Sequence, residues 1–158
     1  MDFGSIQTIA VMPFRNLTRD SQASDRVRDV FMTKLLATGG VYVIPPGEVS
    51  RGISTVGIID VASPSTEEIK KFSNNVNSNA VITGVLKEYG EVRSATSSAN
   101  IISLSMQMIE GQTGLVIWSA SSTKGGISIS DRLFGGGGVP MNDITERAVD
   151  ELIKKLFD

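Results

Sequence analysis

The chain has 158 residues, 15 Lys and Arg against 17 Asp and Glu, a formal net charge of −2, and 41% hydrophobic and 20% charged residues. This describes one globular domain able to build a core without staples, and the balanced charge, free of like-charge blocks, argues against nucleic acid or an anionic membrane surface as partner. The absence of cysteine and histidine excludes disulfides, Cys-His and Ser-His nucleophiles, and thiolate or imidazole metal sites.

No stretch approaches the ~20 apolar residues of a membrane helix, and the first residues lack the basic, apolar and small-residue pattern of a signal peptide. Ile6 to Met12 reads as a buried strand closed by Pro13. A polar turn, Arg15 to Asp20, precedes an amphipathic helix carrying Val27, Val30, Phe31 and Leu35, with Ser24 as its N-cap and Gly39-Gly40 as its stop. Val41 to Ile44 is a second strand ended by Pro45-Pro46, so strand, helix and strand predict a right-handed crossover and a parallel pair.

A short helix is expected near Glu48 to Ser54, with Val49 and Ile53 inward. Ser65-Thr66-Glu67-Glu68 is a capping box, and Ile69, Phe72 and Val76 mark the buried face of the helix it starts. Ala80 to Tyr89, Asn100 to Glu110 and Leu115 to Thr123 predict an antiparallel meander. In the middle strand Ile102, Leu104, Met106 and Met108 alternate with Ser103, Ser105 and Gln107, one face apolar and the other polar. Gly111 to Gly114 is a hairpin turn, and Trp118 is expected to share a face with Val116 and Ala120 and to be buried with Phe31 and Phe72. A 17-residue connection, Lys124 to Pro140, leads to a closing helix capped by Asn142, whose stripe is Ile144, Ala148, Val149, Leu152, Ile153 and Leu156. Asp143 and Glu146 sit at the positive end of its dipole, Lys154 and Lys155 at the negative end.

Few motifs carry chemistry. Gly135 to Gly138 precede a helix and invite a phosphate cradle, but Val139-Pro140-Met141 stand where a P-loop needs Lys and a hydroxyl, so a flexible loop is the better reading. Asp20, Asp25 and Asp29, like Glu67 and Glu68, fall on helix starts or solvent faces rather than forming catalytic or metal-binding pairs. Glu88 and Glu91 flank Tyr89 at a solvated strand end. Asn16-Leu17-Thr18 matches a glycosylation pattern by chance, with Asn16 a turn residue whose amide ties the loop. Met106 and Met108 read as packing. Leu133-Phe134, beside Arg132, are large apolar residues inside an otherwise small and polar loop. They are either a partner contact or a lid folded back on the sheet.

Certain strings in order carry a resemblance: Ile9 to Phe14 with Asn16-Leu17-Thr18, Gly40 to Ile44, Asn79 to Gly84 with Glu88-Tyr89, then Thr113-Gly114 and Ile117-Trp118-Ser119. From about residue 6 to 157 the chain resembles the CsgG-like family of bacterial envelope lipoproteins, whose periplasmic domain is also similar to the N-terminal domain of TolB and to LpoB, an activator of peptidoglycan synthases. The resemblance implies an upstream signal peptide and lipidated cysteine, hence a periplasmic domain anchored to the outer membrane. The founding curli-secretion members carry two membrane hairpins, where this chain has only Gly90 to Ala99 and Lys124 to Pro140. Ten residues cannot supply two strands of ~9–11 residues and a turn, and the second segment is too short and glycine-rich.

The expectation is a single periplasmic domain over residues 1–158, α/β in the α+β sense: a mixed sheet with a parallel β-α-β start, an antiparallel three-strand meander and helices packed on it. Its expected role is that of a non-enzymatic envelope assembly or secretion adaptor that binds another envelope protein through Arg132, Leu133 and Phe134, without its own pore. No cofactor, metal or catalytic residue is expected, and the resemblance allows a homo-oligomer. The alternatives are a regulator of a peptidoglycan synthase and, from another class, a nucleotide or phosphate binder using the Gly-rich loop.

Overall fold

A computed structural model describes residues 4–94, 97–126 and 139–158. Strand β1 (Thr8–Val11) pairs in parallel with β3 (Tyr42–Val43) on one side and with β4 (Ala80–Ser94) on the other. A parallel strand covered on both faces needs a continuous apolar run, and Ile9, Ala10, Val11 and Met12 are fully buried. Pro13 interrupts the pairing. The chain then rejoins β4 as β2 (Arg15–Asn16), where sequence alone suggests only a turn. Asn16 does tie that turn: its Nδ2 donates to the Asp20 carbonyl at 2.7 Å and its Oδ1 accepts the Thr18 N–H at 2.9 Å.

Helix α1 (Ala23–Ala37) makes the expected crossover, burying Val27, Phe31 and Leu35. Ser24 is not its cap. The helix has already begun at Ala23, and the entry is held by Asp20, whose carboxylate accepts the Gln22 N–H and whose carbonyl accepts that of Ala23. The β1–β3 ladder runs Tyr42 N–H to Gln7 O and Ile44 N–H to Ile9 O, so its next rung falls to Pro46, which has no N–H. Arg28 of α1 takes that place, donating to Val11 O from Nη2 at 2.6 Å and Nε at 3.2 Å. Burial pushes the Arg28 pKa down, against the neighbouring charges of Asp25 and Asp29. Both aspartates are themselves exposed.

Pro46 is instead the first residue of α2 (Pro46–Val56), a position that suits its fixed φ. Helix α3 (Thr66–Val76) starts with the predicted capping box: Ser65 Oγ accepts the Glu68 N–H at 3.1 Å, and Glu68 accepts the Ser65 N–H at 2.8 Å. The two helices approach closely at Gly52, where a Cβ would lie 2.6 Å from Val76 Cγ1. They cover one face of the sheet with Val49, Ile58, Ile69 and Phe72 against Ala10, Met12, Val81 and Ile109.

Strands β4, β5 (Ser97–Glu110) and β6 (Val116–Gly125) form the predicted meander, in the sheet order β3-β1-β4-β5-β6. They are longer than expected, since Gly90 to Ser94 pair with Ser97 to Ile101 and continue the ladder. Ile102, Leu104, Met106 and Met108 are buried on the face that meets α1 and the last helix, α4 (Met141–Phe157). That helix buries the whole predicted stripe, but it begins directly after Pro140, so Asn142 lies inside it and caps nothing.

Trp118 also departs from expectation. A register shift sets Val116 opposite Ile109 and Trp118 opposite Met108, which sends the two to different faces. Val116 is then 52% exposed, and Trp118 is half-buried because β6 is the edge strand of the sheet, with no strand beyond it among the described residues.

Candidate functional site

Residues 127–138, which include Arg132, Leu133, Phe134 and Gly135 to Gly138, lie outside the described residues. Their points of attachment do not. Strand β6 ends at Gly125 and is followed by Gly126, with φ of 85° and 88°, and the Gly126 N–H donates to Asn100 O at 2.8 Å. A Cβ on Gly125 would run into the Asn100 carbonyl, so only glycine lets the chain pass there. On its return the Val139 carbonyl accepts Asn100 Nδ2 at 3.1 Å. One residue of β5 therefore holds both ends of the connection.

Beside Asn100 is a groove of about 560 Å³, between the turn after β2 and the extended β4–β5 arm. Leu17, Tyr89, Val92 and Ile101 give it an apolar floor, and Arg19, Lys87, Glu88 and Glu91 rim it. Leu17 is 61% exposed although its N–H is fixed to Leu86 O at 2.9 Å, so the side chain is held out by its own backbone. Glu88 and Glu91 are solvated, as their place at a strand end suggests, and Glu91 pairs with Arg93 at 2.5 Å. A held apolar floor within a mixed-charge rim can seat a protein side chain and orient it.

The groove was not legible as a unit. Its residues come from three segments that meet only because β2 joins β4, and the signal available was a leucine inside the polar turn Arg15 to Asp20.

Electrostatics fasten α4 to the sheet below this end. Glu151 pairs with Lys124 of β6 and, at 3.0 Å, with Lys155, whose Nζ also donates to Ser121 O at 3.0 Å. Hydrogen bonds from Lys124 and then Lys155 hold the Glu151 carboxyl down to about 2. Across the molecule Asp60 joins the loop after α2 to Arg15 at 2.6 Å, and this bond lowers the Asp60 pKa. Among the described residues no group of three or more acidic side chains could hold a metal ion.

The family model of GNA1162-like lipoproteins matches residues 4–158. The fold is similar to that of lipoprotein GNA1162 from Neisseria meningitidis, with a TM-score of 0.66 and 18% identity over 96% of this chain and 98% of that one. It is also similar to the PelC dodecamer from Paraburkholderia phytofirmans, with a TM-score of 0.62 and 15% identity over 93% and 86% of the two chains. The LpoB C-terminal domain from Salmonella enterica gives a TM-score of 0.55 and 18% identity over 75% and 82%. No match was found among curated proteins.

Proposed function

Because the chain belongs to the GNA1162-like lipoprotein family, we propose that it is the periplasmic domain of a lipid-anchored envelope protein, held at the outer membrane, that works by binding another envelope protein. It is an adaptor of the CsgG-like type without a pore of its own and without catalytic activity. The observation that carries this reading is that Gly126 and Val139, the described residues on either side of 127–138, both bond to Asn100, beside the apolar groove. Leu133 and Phe134 lie near the middle of that connection, and Arg132 adjoins them. A connection that starts and ends at one rigid point can present its central residues outward, and two large apolar side chains supply ~1.5–3 kcal/mol each when a partner buries them.

The absence of a pore is supported by the β4–β5 arm. From Gly90 to Ser94 it extends only about 17 Å and is paired within the sheet, whereas a membrane-spanning strand needs ~9–11 residues. A second reading, regulation of a peptidoglycan synthase, is favoured by the likeness to the LpoB C-terminal domain, and the identity of the partner separates the two. A second copy of the chain is a further candidate partner, since the PelC relative is a dodecamer.

The test places a photo-crosslinking residue at position 134 of the full-length, lipid-modified protein in intact cells. A discrete envelope adduct is expected, and the double change Leu133→Ser with Phe134→Ser should abolish partner recovery while leaving the melting temperature nearly unchanged. A stable double variant that keeps its partner would remove this segment as the site.

A further inference from the structure

Strand β4 has an outer edge that the fold uses only in part. Up to Leu86 its outward groups are taken, since Ile82 O accepts the Met12 N–H at 2.8 Å and Leu86 O accepts the Leu17 N–H at 2.9 Å. Strand β2 then ends at Asn16, a register shift follows Leu86, and β4 runs on to Ser94 beside β5 alone. Pairing parity shows which groups face outward there. Gly126 N–H donates to Asn100 O, so the even residues of β5 face β6 and the odd ones face β4. Gly90, Val92 and Ser94, the partners of Ile101, Ala99 and Ser97, therefore bond to β5. Tyr89, Glu91 and Arg93 turn their N–H and C=O groups away from it, on the side of the groove, where no strand lies among the described residues.

The other two edges are guarded. Strand β3 is two residues long and runs toward Pro45-Pro46, and on β6 Lys155 Nζ already holds Ser121 O at 3.0 Å.

What fits the β4 edge is set by its own sequence. Gly90-Glu91-Val92-Arg93-Ser94, read against a reversed copy of itself, puts Glu91 opposite Arg93, Val92 opposite Val92 and Gly90 opposite Ser94. In this antiparallel register Glu91 and Arg93 of facing copies exchange N–H···O bonds, and the two Val92 form the close pair between them. A centre at Glu91 would set like charges opposite each other, and a parallel pairing in register would set every charge against its like. There is room for the contact: Glu91 and Arg93 side chains are 48% and 80% exposed, and a Cβ on Gly90 would meet nothing within 4 Å.

We propose that a second copy of this chain docks here, arm to arm about a two-fold axis through Val92, joining two sheets into one. Five residues a side fall short of a standard interface, so the dimer is weak and concentration-dependent. The contact rests on the second-copy reading of the partner and uses nothing from residues 127–138, so crosslinking from position 134 and the assay below can fail separately.

Sedimentation equilibrium of the whole chain at low salt should show reversible dimerisation. Glu91→Arg and Arg93→Glu should each weaken it about tenfold at an unchanged melting temperature, because each sets like charges opposite on both sides of the axis. Mixed in equal amounts, the two variants should pair with each other, since one supplies two arginines and the other two glutamates at the facing positions. The chain has no cysteine, so Val92→Cys should give a clean disulfide-linked dimer on oxidation, and Ser94→Cys and Thr123→Cys should not. A wild type that stays monomeric up to millimolar concentration would overturn the proposal, as would single variants that dimerise like the wild type or a mixture that does not recover. Linking through Thr123→Cys in place of Val92→Cys would move the contact to β6 and overturn it as well.

Discussion

The two faces of the sheet are covered unequally. Helices α1 and α4 lie along one face and bury residues of β1, β4 and β5, from Ile9 and Val11 through Ile82 and Leu86 to Leu104 and Met108, with Ile117, Trp118 and Ala120 of β6 partly covered. Helices α2 and α3 cover the other face only where β1, the start of β4 and the end of β5 meet. Beyond them, among the described residues, no helix covers Ser103, Ser105, Gln107, Ser119, Ser121 and Thr123, with Ser103 and Thr123 hydroxyls 3.0 Å apart across the strands. A face that pays no desolvation cost can stay polar, and its serines record in sequence where the second layer stops.

The largest expected effect tests that inequality directly. Phe31 and Phe72 are both fully buried, one in each layer. Phe31→Ala should lose about 3–5 kcal/mol, and Phe72→Ala should fall at the lower end of that range because two short helices close on a gap more readily than a layer fastened along the whole sheet. Urea midpoints in the reverse order would break the comparison. Gly52→Ala sharpens it: the added methyl meets Val76 and Phe72, so a loss of about 1–3 kcal/mol is expected, partly recovered by adding Val76→Ala. Full additivity of the two changes would mean that α2 and α3 do not meet there.

Ser65→Ala removes one half of the capping box and should cost ~0.5–2 kcal/mol, seen as a lower thermal midpoint. The smallest effect lies on the thicker layer. The Glu151 carboxyl titrates lower in the folded chain than in the unfolded one, so its contribution is complete above the ordinary carboxylate range and is lost as pH falls from there toward about 2. Its side chain is 30% exposed, which keeps the contribution small. Glu151→Gln should flatten the melting temperature over that window. An unchanged pH profile in the variant would mean that the Lys124–Glu151–Lys155 cluster does not fasten α4.

Elements written in local chemistry were legible. The capping box needs only Ser65 and Glu68 three residues apart, and the alternation of β5 needs only its own residues. Features set by distant partners were not. Helix α4 follows Pro140 directly, so its start owes nothing to the polar side chain of Asn142. Trp118 is apolar enough for a core, and only its place on an edge strand leaves it half-covered. The same holds at the two ends of the sheet. Leu17 belongs to the groove because β2 pairs with β4, and Ser73 Oγ, without a hydrogen bond among the described residues, packs against Gly111 at the turn after β5. The apolar pair Leu133-Phe134 stood out by composition, and what the fold adds is the shared anchor at Asn100.

That anchor has a consequence for how much the connection can change. Closing a chain between two fixed points costs free energy that grows only with the logarithm of its length, about 0.6 kcal/mol for each doubling. Both points here belong to one residue in the interior of a paired strand, so a longer or unrelated insert between Gly126 and Val139 leaves the distance to be spanned unaltered. The position is thus a natural site for grafting: relatives can diversify in this stretch, and a designer can transplant a foreign recognition peptide into it, with the scaffold beneath keeping its strand register.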